Sequence, residues 1–185
     1  MSKKLKIVEL GGKILRTRAK VVSGKALKTK EFQNFIDDLI KTCDLSSGVG
    51  IAAPQVNEGL RVFILWSRTT KKRKNIPKLG PIAIINPKIV SASKKIVKAW
   101  EGCLSIPGIR GLVPRHKSID VEFVTREGEK LGLTLEDFPA RIFQHEYDHL
   151  NGIVFLDRTD PKDLTTEKEY QKITQKSKLR NQKLK

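Results

Sequence analysis

Residues Gln144-His145-Glu146-Tyr147-Asp148-His149-Leu150-Asn151-Gly152 decide how the rest of this chain is read. In a helix, the pattern H-E-x-x-H sets two imidazoles four residues apart, on one face and about one turn from each other, so both can reach one cation. Glu146 then lies beside that cation, where a carboxylate can take a proton from a metal-held water and pass it to a leaving group. The flanks predict the helix. Pro139 suits a first turn, Gly152 suits the left-handed position just past the end, and no other breaker lies between them. Phe138, Ile142, His145 and His149 recur at steps of four, three and four, so an apolar floor leads to the imidazoles. Phe143, Tyr147 and Leu150 form a neighbouring stripe, assigned to core packing.

A chain of 185 residues suits one domain with a real core. At 38% apolar and 31% charged residues, it reads as a folded globule with a heavily charged surface, not as a disordered chain. The formal net charge of +17 favours polyanionic surroundings such as RNA and says nothing about a reaction. Cys43 and Cys103 have no spacing that suggests a disulfide, and both read as reduced. The opening Met1-Ser2-Lys3-Lys4-Leu5-Lys6 is basic but lacks the apolar run of a signal peptide, and no segment reaches transmembrane length. A cytoplasmic protein without a membrane anchor is expected.

Upstream of the metal helix, Ile119, Val121 and Phe123 alternate with Asp120 and Glu122, Arg126-Glu127-Gly128-Glu129 turns the chain, and Leu131, Leu133 and Leu135 alternate on the return. This predicts a hairpin. Arg61–Trp66 and Ile82–Ile85 read as buried strands, the second stopped by Asn86-Pro87, with an exposed basic loop from Arg68 to Lys78 between them. Lys88 to Ala99 continues in strand-like pieces. Earlier still, Phe32, Phe35, Ile36, Leu39, Ile40 and Cys43 trace one face of an amphipathic helix, with Thr29 as its cap and Glu31 at its positive end. Cys43 is thereby a core residue. Residues before about Lys30 show no sustained period and predict a wrapped arm.

The helix gives way to Gly48-Val49-Gly50-Ile51-Ala52-Ala53-Pro54-Gln55, where small residues let the backbone approach a ligand or a neighbouring chain. It is no dinucleotide fingerprint, because it follows a helix and lacks the third glycine. The expected fold is a single α+β domain, with antiparallel sheets wrapped around the metal-binding helix, over residues 1–160. Residues 161–185 form a basic tail: from 162 on it holds eight Lys or Arg against three Asp or Glu. A helix starting near Asp163 or Thr165 and fraying at its far end is expected there.

A catalytic metal of this kind needs three protein ligands and an open position, and the helix supplies two. His116, Cys103 or a carboxylate could be the third. His116 sits between Arg115 and Lys117, which suits an exposed residue; Cys103 follows Gly102, and a cation stabilises a thiolate outright.

Taken together, Gly48-Val49-Gly50-Ile51-Ala52-Ala53-Pro54-Gln55, Glu101-Gly102-Cys103-Leu104-Ser105 and Gln144-His145-Glu146-Tyr147-Asp148-His149-Leu150 resemble, in order and spacing, the three signature motifs of the peptide deformylases. The resemblance spans roughly residues 5 to 160. It implies a metal-dependent hydrolase that removes the formyl group from the formylmethionine of newly made polypeptides and releases formate. Cys103, His145 and His149 match the family's metal ligands, around one divalent ion that is typically Fe²⁺, with nickel, cobalt or zinc able to replace it. Glu146 matches the catalytic acid/base. The side-chain amide of Gln55 and the backbone N–H of Leu104 match the donors to the oxyanion. Val49 matches a residue of the methionine pocket, which Phe138 and Ile142 are expected to join from the helix. Gly50 would bond the main chain of a peptide laid alongside as an added strand. Glu101 would pair with Arg115 near the site. Trp100 and Asp137-Phe138-Pro139 depart from the usual pattern at positions that could reshape the pocket rim.

Two other readings compete. A zinc endopeptidase would need a further His or Glu ligand downstream, and no histidine follows His149. An RNA- or ribosome-binding protein with a structural metal would need a fourth Cys or His nearby. The basic tail could still hold a monomeric enzyme near ribosomal RNA.

Overall fold

The computed structural model describes residues 2–69 and 77–182, with side chains described as far as Gln175. Most of the loop expected at Arg68–Lys78, and residues 183–185 of the tail, lie outside the described residues. The arm is largely irregular, as its sequence predicts, apart from a 3-10 turn at Lys13–Arg16 and one helical turn, α1 (Gly24–Leu27). Backbone bonds strap it down: Val8 N–H donates to Gln55 O at 2.7 Å, Leu10 to Ser105 O at 2.8 Å and Ala19 to Leu150 O at 3.0 Å.

Helix α2 (Lys30–Leu45) starts where Thr29 Oγ1 accepts from Phe32 N–H, and it buries Phe32, Ile36, Leu39 and Cys43 along one face. Five antiparallel strands follow in the spatial order β1 (Gly50–Ala52), β2 (Val62–Ser67), β3 (Leu79–Ala92), β6 (Ser118–Val124), β7 (Lys130–Glu136). A second sheet holds β4 (Ile96–Cys103), β5 (Ile106–His116) and β8 (Leu164–Thr166). The metal-motif helix is α3 (Asp137–His149), and α4 (Glu167–Gln182) carries the basic tail.

One expectation is overturned. The strand predicted to stop at Asn86-Pro87 runs on to Ala92. Pairing steps from Ile85↔Val124 to Lys88↔Glu122, so two residues of β3 face one of β6, and Asn86 takes φ 50° in this bulge. Proline interrupts a ladder only where its N–H is needed, and in a bulge it is not. The Asn86 side chain binds Val22 twice, donating to its O at 2.8 Å and accepting from its N–H at 2.9 Å.

Strand β2 is buried on both faces. Ile64 and Val62 turn toward α2, and Phe63 and Leu65 turn toward α3, where Phe63 meets Phe143 edge-to-face at 5.0 Å. Helix α3 thus runs along the large sheet with Phe143 and Leu150 fully buried, and presents its His145 side to the smaller sheet. Pro139 is its third residue. Just past its end Gly152 has φ +73°, and a Cβ there would lie 2.8 Å from the Arg16 backbone, so this crossing admits only glycine.

Candidate metal centre

Cys103 ends β4, while His145 and His149 lie one turn apart on α3; one donor atom from each falls within 4.8 Å of the others. Cys103 Sγ is 3.2 Å from His149 Nε2. Gln55, in the 3-10 turn Ala53–Val56, has its amide oriented from both ends. Its Oε1 accepts from Ala52 N–H at 2.8 Å, and its Nε2 donates to Cys103 Sγ at 3.3 Å and Ser105 Oγ at 3.2 Å. Ser105 N–H reaches the same sulfur at 3.4 Å. His116 is not brought into this cluster; it is exposed, with Nδ1 donating to Ser93 O.

Glu146 is buried beside the cluster, against Gly50. A Cβ on Gly50 would come within 2.5 Å of Glu146 Oε1, so the glycine is what lets the carboxylate occupy that place. Burial pushes the Glu146 carboxyl up to about 7. Burial holds His149 well below the usual imidazole range, with His145 adding to the effect. In His145 burial works the same way but is outweighed by its bonds to Cys103 and Glu101, and its proton affinity is raised.

Glu101 organises the other side. Its two oxygens accept from Arg115 Nε and Nη2 at 3.0 and 3.1 Å, from Arg141 Nη1 at 2.7 Å and from His145 Nδ1 at 2.8 Å. Burial would raise this carboxyl, yet the bonds from His145 and Arg115 hold it well below the usual carboxylate range. The Nδ1–H bond fixes the His145 tautomer and leaves Nε2 with a lone pair for a cation. Arg115 also binds Asp148, which Arg158 grips with Nε and Nη2 at 2.6 Å each. The sequence reading missed Asp148, Arg141 and Arg158. Asp148 stands inside the quoted motif and Arg141 is four residues before His145, so both could have been suspected; nothing local marks Arg158.

Two buried atoms at the cluster, Glu146 Oε2 and His149 Nδ1, have no hydrogen-bond partner among the described residues. Leaving such atoms unsatisfied is costly. A thiolate and two imidazoles beside such a carboxylate suit a catalytic divalent ion that keeps an open position. The residues therefore fit a metal, although the donor set does not choose among ions. The cluster opens on a cavity of about 710 Å³ that is lined by Val49, Gly50, Gln55, Leu104, Phe138 and Ile142. Trp100, Arg110, Glu167 and Tyr170 line it too, so the start of the tail reaches the site.

An H-E-x-x-H helix with a cysteine as third donor, open to a pocket, defines a metal-dependent hydrolase. The family described as polypeptide deformylase matches residues 4–165. Peptide deformylase 2 of Nostoc sp. is 49% identical over 94% of this chain and 96% of its own. The peptide deformylase of Thermotoga neapolitana is 40% identical over 82% of this chain and 84% of its own. Among solved structures, the Met-Ala-Ser-bound class I type b peptide deformylase of Acinetobacter baumannii superposes with a TM-score of 0.83 at 39% identity, covering 85% of this chain and 99% of the other. The chain belongs to the polypeptide deformylase family. It is accordingly a metal-dependent hydrolase that removes the N-formyl group of nascent peptides. No helix among the described residues is long and apolar enough to cross a membrane.

Proposed function

We propose that Cys103, His145 and His149 hold one divalent cation, Fe²⁺ in the cell with Zn²⁺, Ni²⁺ or Co²⁺ as substitutes, and that the adjoining cavity receives the formylmethionine of a nascent peptide. The observation that carries this reading is the convergence of three donors within 4.8 Å beside a buried carboxylate with an unpaired oxygen. When bound, the cation supplies Lewis acidity and lowers the pKa of a water. The chain's own residues do the rest. Glu146, with its proton affinity raised toward neutrality, takes a proton from the attacking water and returns it to the departing amine. Gln55 Nε2 and Leu104 N–H donate to the developing oxyanion, each worth about 3–4 kcal/mol in the transition state. Gln55 is suited to this because its other amide atom is tied to Ala52 N–H.

Val49, Phe138 and Ile142 give the methionine side chain an apolar wall. Gly50 lies in β1, an edge strand of its sheet, and bonds the peptide main chain as an added strand. Glu101 and Arg115 act through His145, whose ring they hold.

The enzyme works as a cytoplasmic monomer. Residues 161–185 form a basic extension of the catalytic domain, 1–160, and meet ribosomal RNA. Replacing Lys176, Lys178 and Arg180 by Glu should weaken salt-sensitive ribosome binding while formate release from formyl-Met-Ala-Ser continues; unchanged ribosome binding would remove that role. The main test is formate release from formyl-Met-Ala-Ser with metal analysis on the same anaerobic sample. Air-sensitive activity supports iron. A purified Cys103→Ala protein with a full complement of metal would remove the ligand assignment.

A further inference from the structure

The two groups given to the oxyanion, the Gln55 amide and the Leu104 N–H, come from separate motifs and must converge on one oxygen. The N-terminal arm touches both motifs. Val8 N–H donates to Gln55 O at 2.7 Å, and Leu10 N–H donates to Ser105 O at 2.8 Å. Ser105 follows Leu104 in the turn between β4, which ends at Cys103, and β5, which starts at Ile106. Two N–H groups of one short segment, at most roughly 7 Å apart along the chain, therefore hold the residue that carries one donor and the turn that carries the other. Gln55 and Ser105 are both buried, and Gln55 Nε2 donates to Ser105 Oγ at 3.2 Å on the inner side.

The segment is itself built to a fixed shape. Gly12 N–H donates to Glu9 O at 3.0 Å and Gly11 has φ +106°, while Leu10 is not among the residues of positive φ. Residues 9–12 thus form a type II turn with Leu10 at its second position. A Cβ on Gly12, whose φ is an ordinary −64°, would lie 2.3 Å from Val8 Cγ1, so the turn closes tightly on Val8. Both ends are anchored. Leu5 and Ile7 pack on the cluster under α2, Leu5 N–H donates to Thr42 Oγ1 at 2.9 Å, and Leu15 is fully buried. Leu10 itself is 45% exposed, so its backbone and not its side chain makes the inward tie.

We propose that residues 8–10 brace the oxyanion donors from outside, fixing the separation of Gln55 and the β4–β5 turn, and that Val8 and Leu10 are positioning residues for deformylation. This rests on the reading of Gln55 and Leu104 as those donors. Removing a donor outright costs about 10²–10³ in kcat; a donor kept but displaced costs less.

Leu10→Pro is the direct test, because proline suits the second position of a type II turn and removes the N–H that Ser105 O accepts. On the metal-loaded full chain, kcat for formyl-Met-Ala-Ser should fall roughly five- to twenty-fold. KM, inhibition by the product Met-Ala-Ser and metal content should stay within about two-fold, since none of them depends on the oxyanion. Leu10→Ala, which keeps the N–H, should return kcat toward the wild-type value. Gly12→Ala keeps every N–H but pushes Val8 aside, and should lower kcat with the same signature; it decides the matter if Leu10→Pro does not fold. An unchanged kcat, or a fall matched by weaker Met-Ala-Ser inhibition or lost metal, overturns the proposal. If Gln55→Leu leaves kcat unchanged, the donor assignment beneath it goes first.

Discussion

The five-stranded and three-stranded sheets flank the same helix and are tied to it by different means. On the large sheet the tie is apolar: Phe63, Ile84, Ile119 and Phe123 pack with Phe143 and Leu150, while α2 covers the opposite face. On the small sheet the buried apolar cluster is Ile106, Val113, Val154 and Phe155, and the tie to α3 is a chain of charges running Arg158, Asp148, Arg115, Glu101, Arg141 and His145. Apolar burial has no preferred direction, whereas bidentate ion pairs fix angles. Cys103 belongs to the sheet held by angles. Both ties contribute stability, and the one through the small sheet in addition sets how a sulfur and a ring meet.

Substitutions can break this division, and the largest effect should come from a group on the helix that both sheets flank. Glu146→Gln is expected to lower deformylation about 10²–10⁴-fold with metal content and unfolding midpoint kept; formate-release kinetics with metal analysis check it. Next, Glu101→Gln leaves Arg115 and Arg141 without their shared anion. Denaturant titration should show a loss of about 3–5 kcal/mol, accompanied by a lower metal content. Phe63→Ala should cost a similar amount, about 3–5 kcal/mol, but the folded fraction should keep its metal. If Phe63→Ala strips metal as readily as Glu101→Gln, the division of roles fails. Arg158→Ala, whose side chain is 43% exposed, should cost only about 1 kcal/mol or less. The smallest effect concerns Cys43: burial, with Glu146 adding to it, pushes its thiol up to about 12. At pH 8 an alkylating reagent should label the metal-stripped protein at Cys103 and leave Cys43 untouched, as peptide mapping would show.

What the sequence made legible was local. The helix α3, the hairpin β6–β7 and the Thr29 cap of α2 each depend on residues within a turn or two of one another, so periodicity and caps reveal them. Gly50 was legible in kind: its small size announced a close approach, although one group that comes close is the chain's own Glu146. The charge chain was only half legible. The resemblance paired Glu101 with Arg115, but Asp148 and Arg158 meet through tertiary folding, and 37 basic against 20 acidic residues offer far too many pairings to choose from. Nor could periodicity reveal that β3 passes through Asn86-Pro87, because the bulge depends on β6 and on the distant Val22. The approach of Glu167 and Tyr170 to the cavity was hidden for the same reason, since β8 must first find β5.

The crossing of the arm over Gly152 has one more effect. Because the Arg16 backbone passes where any side chain at 152 would stand, and Leu150 is tied to Ala19, α3 is keyed like a shaft and cannot spin in its seat. A slip of one residue in helical phase is a turn of about 100°, which would aim both imidazoles at different neighbours. The arm, far from the chemistry in sequence, is thus the stop that keeps the two rings pointing the same way.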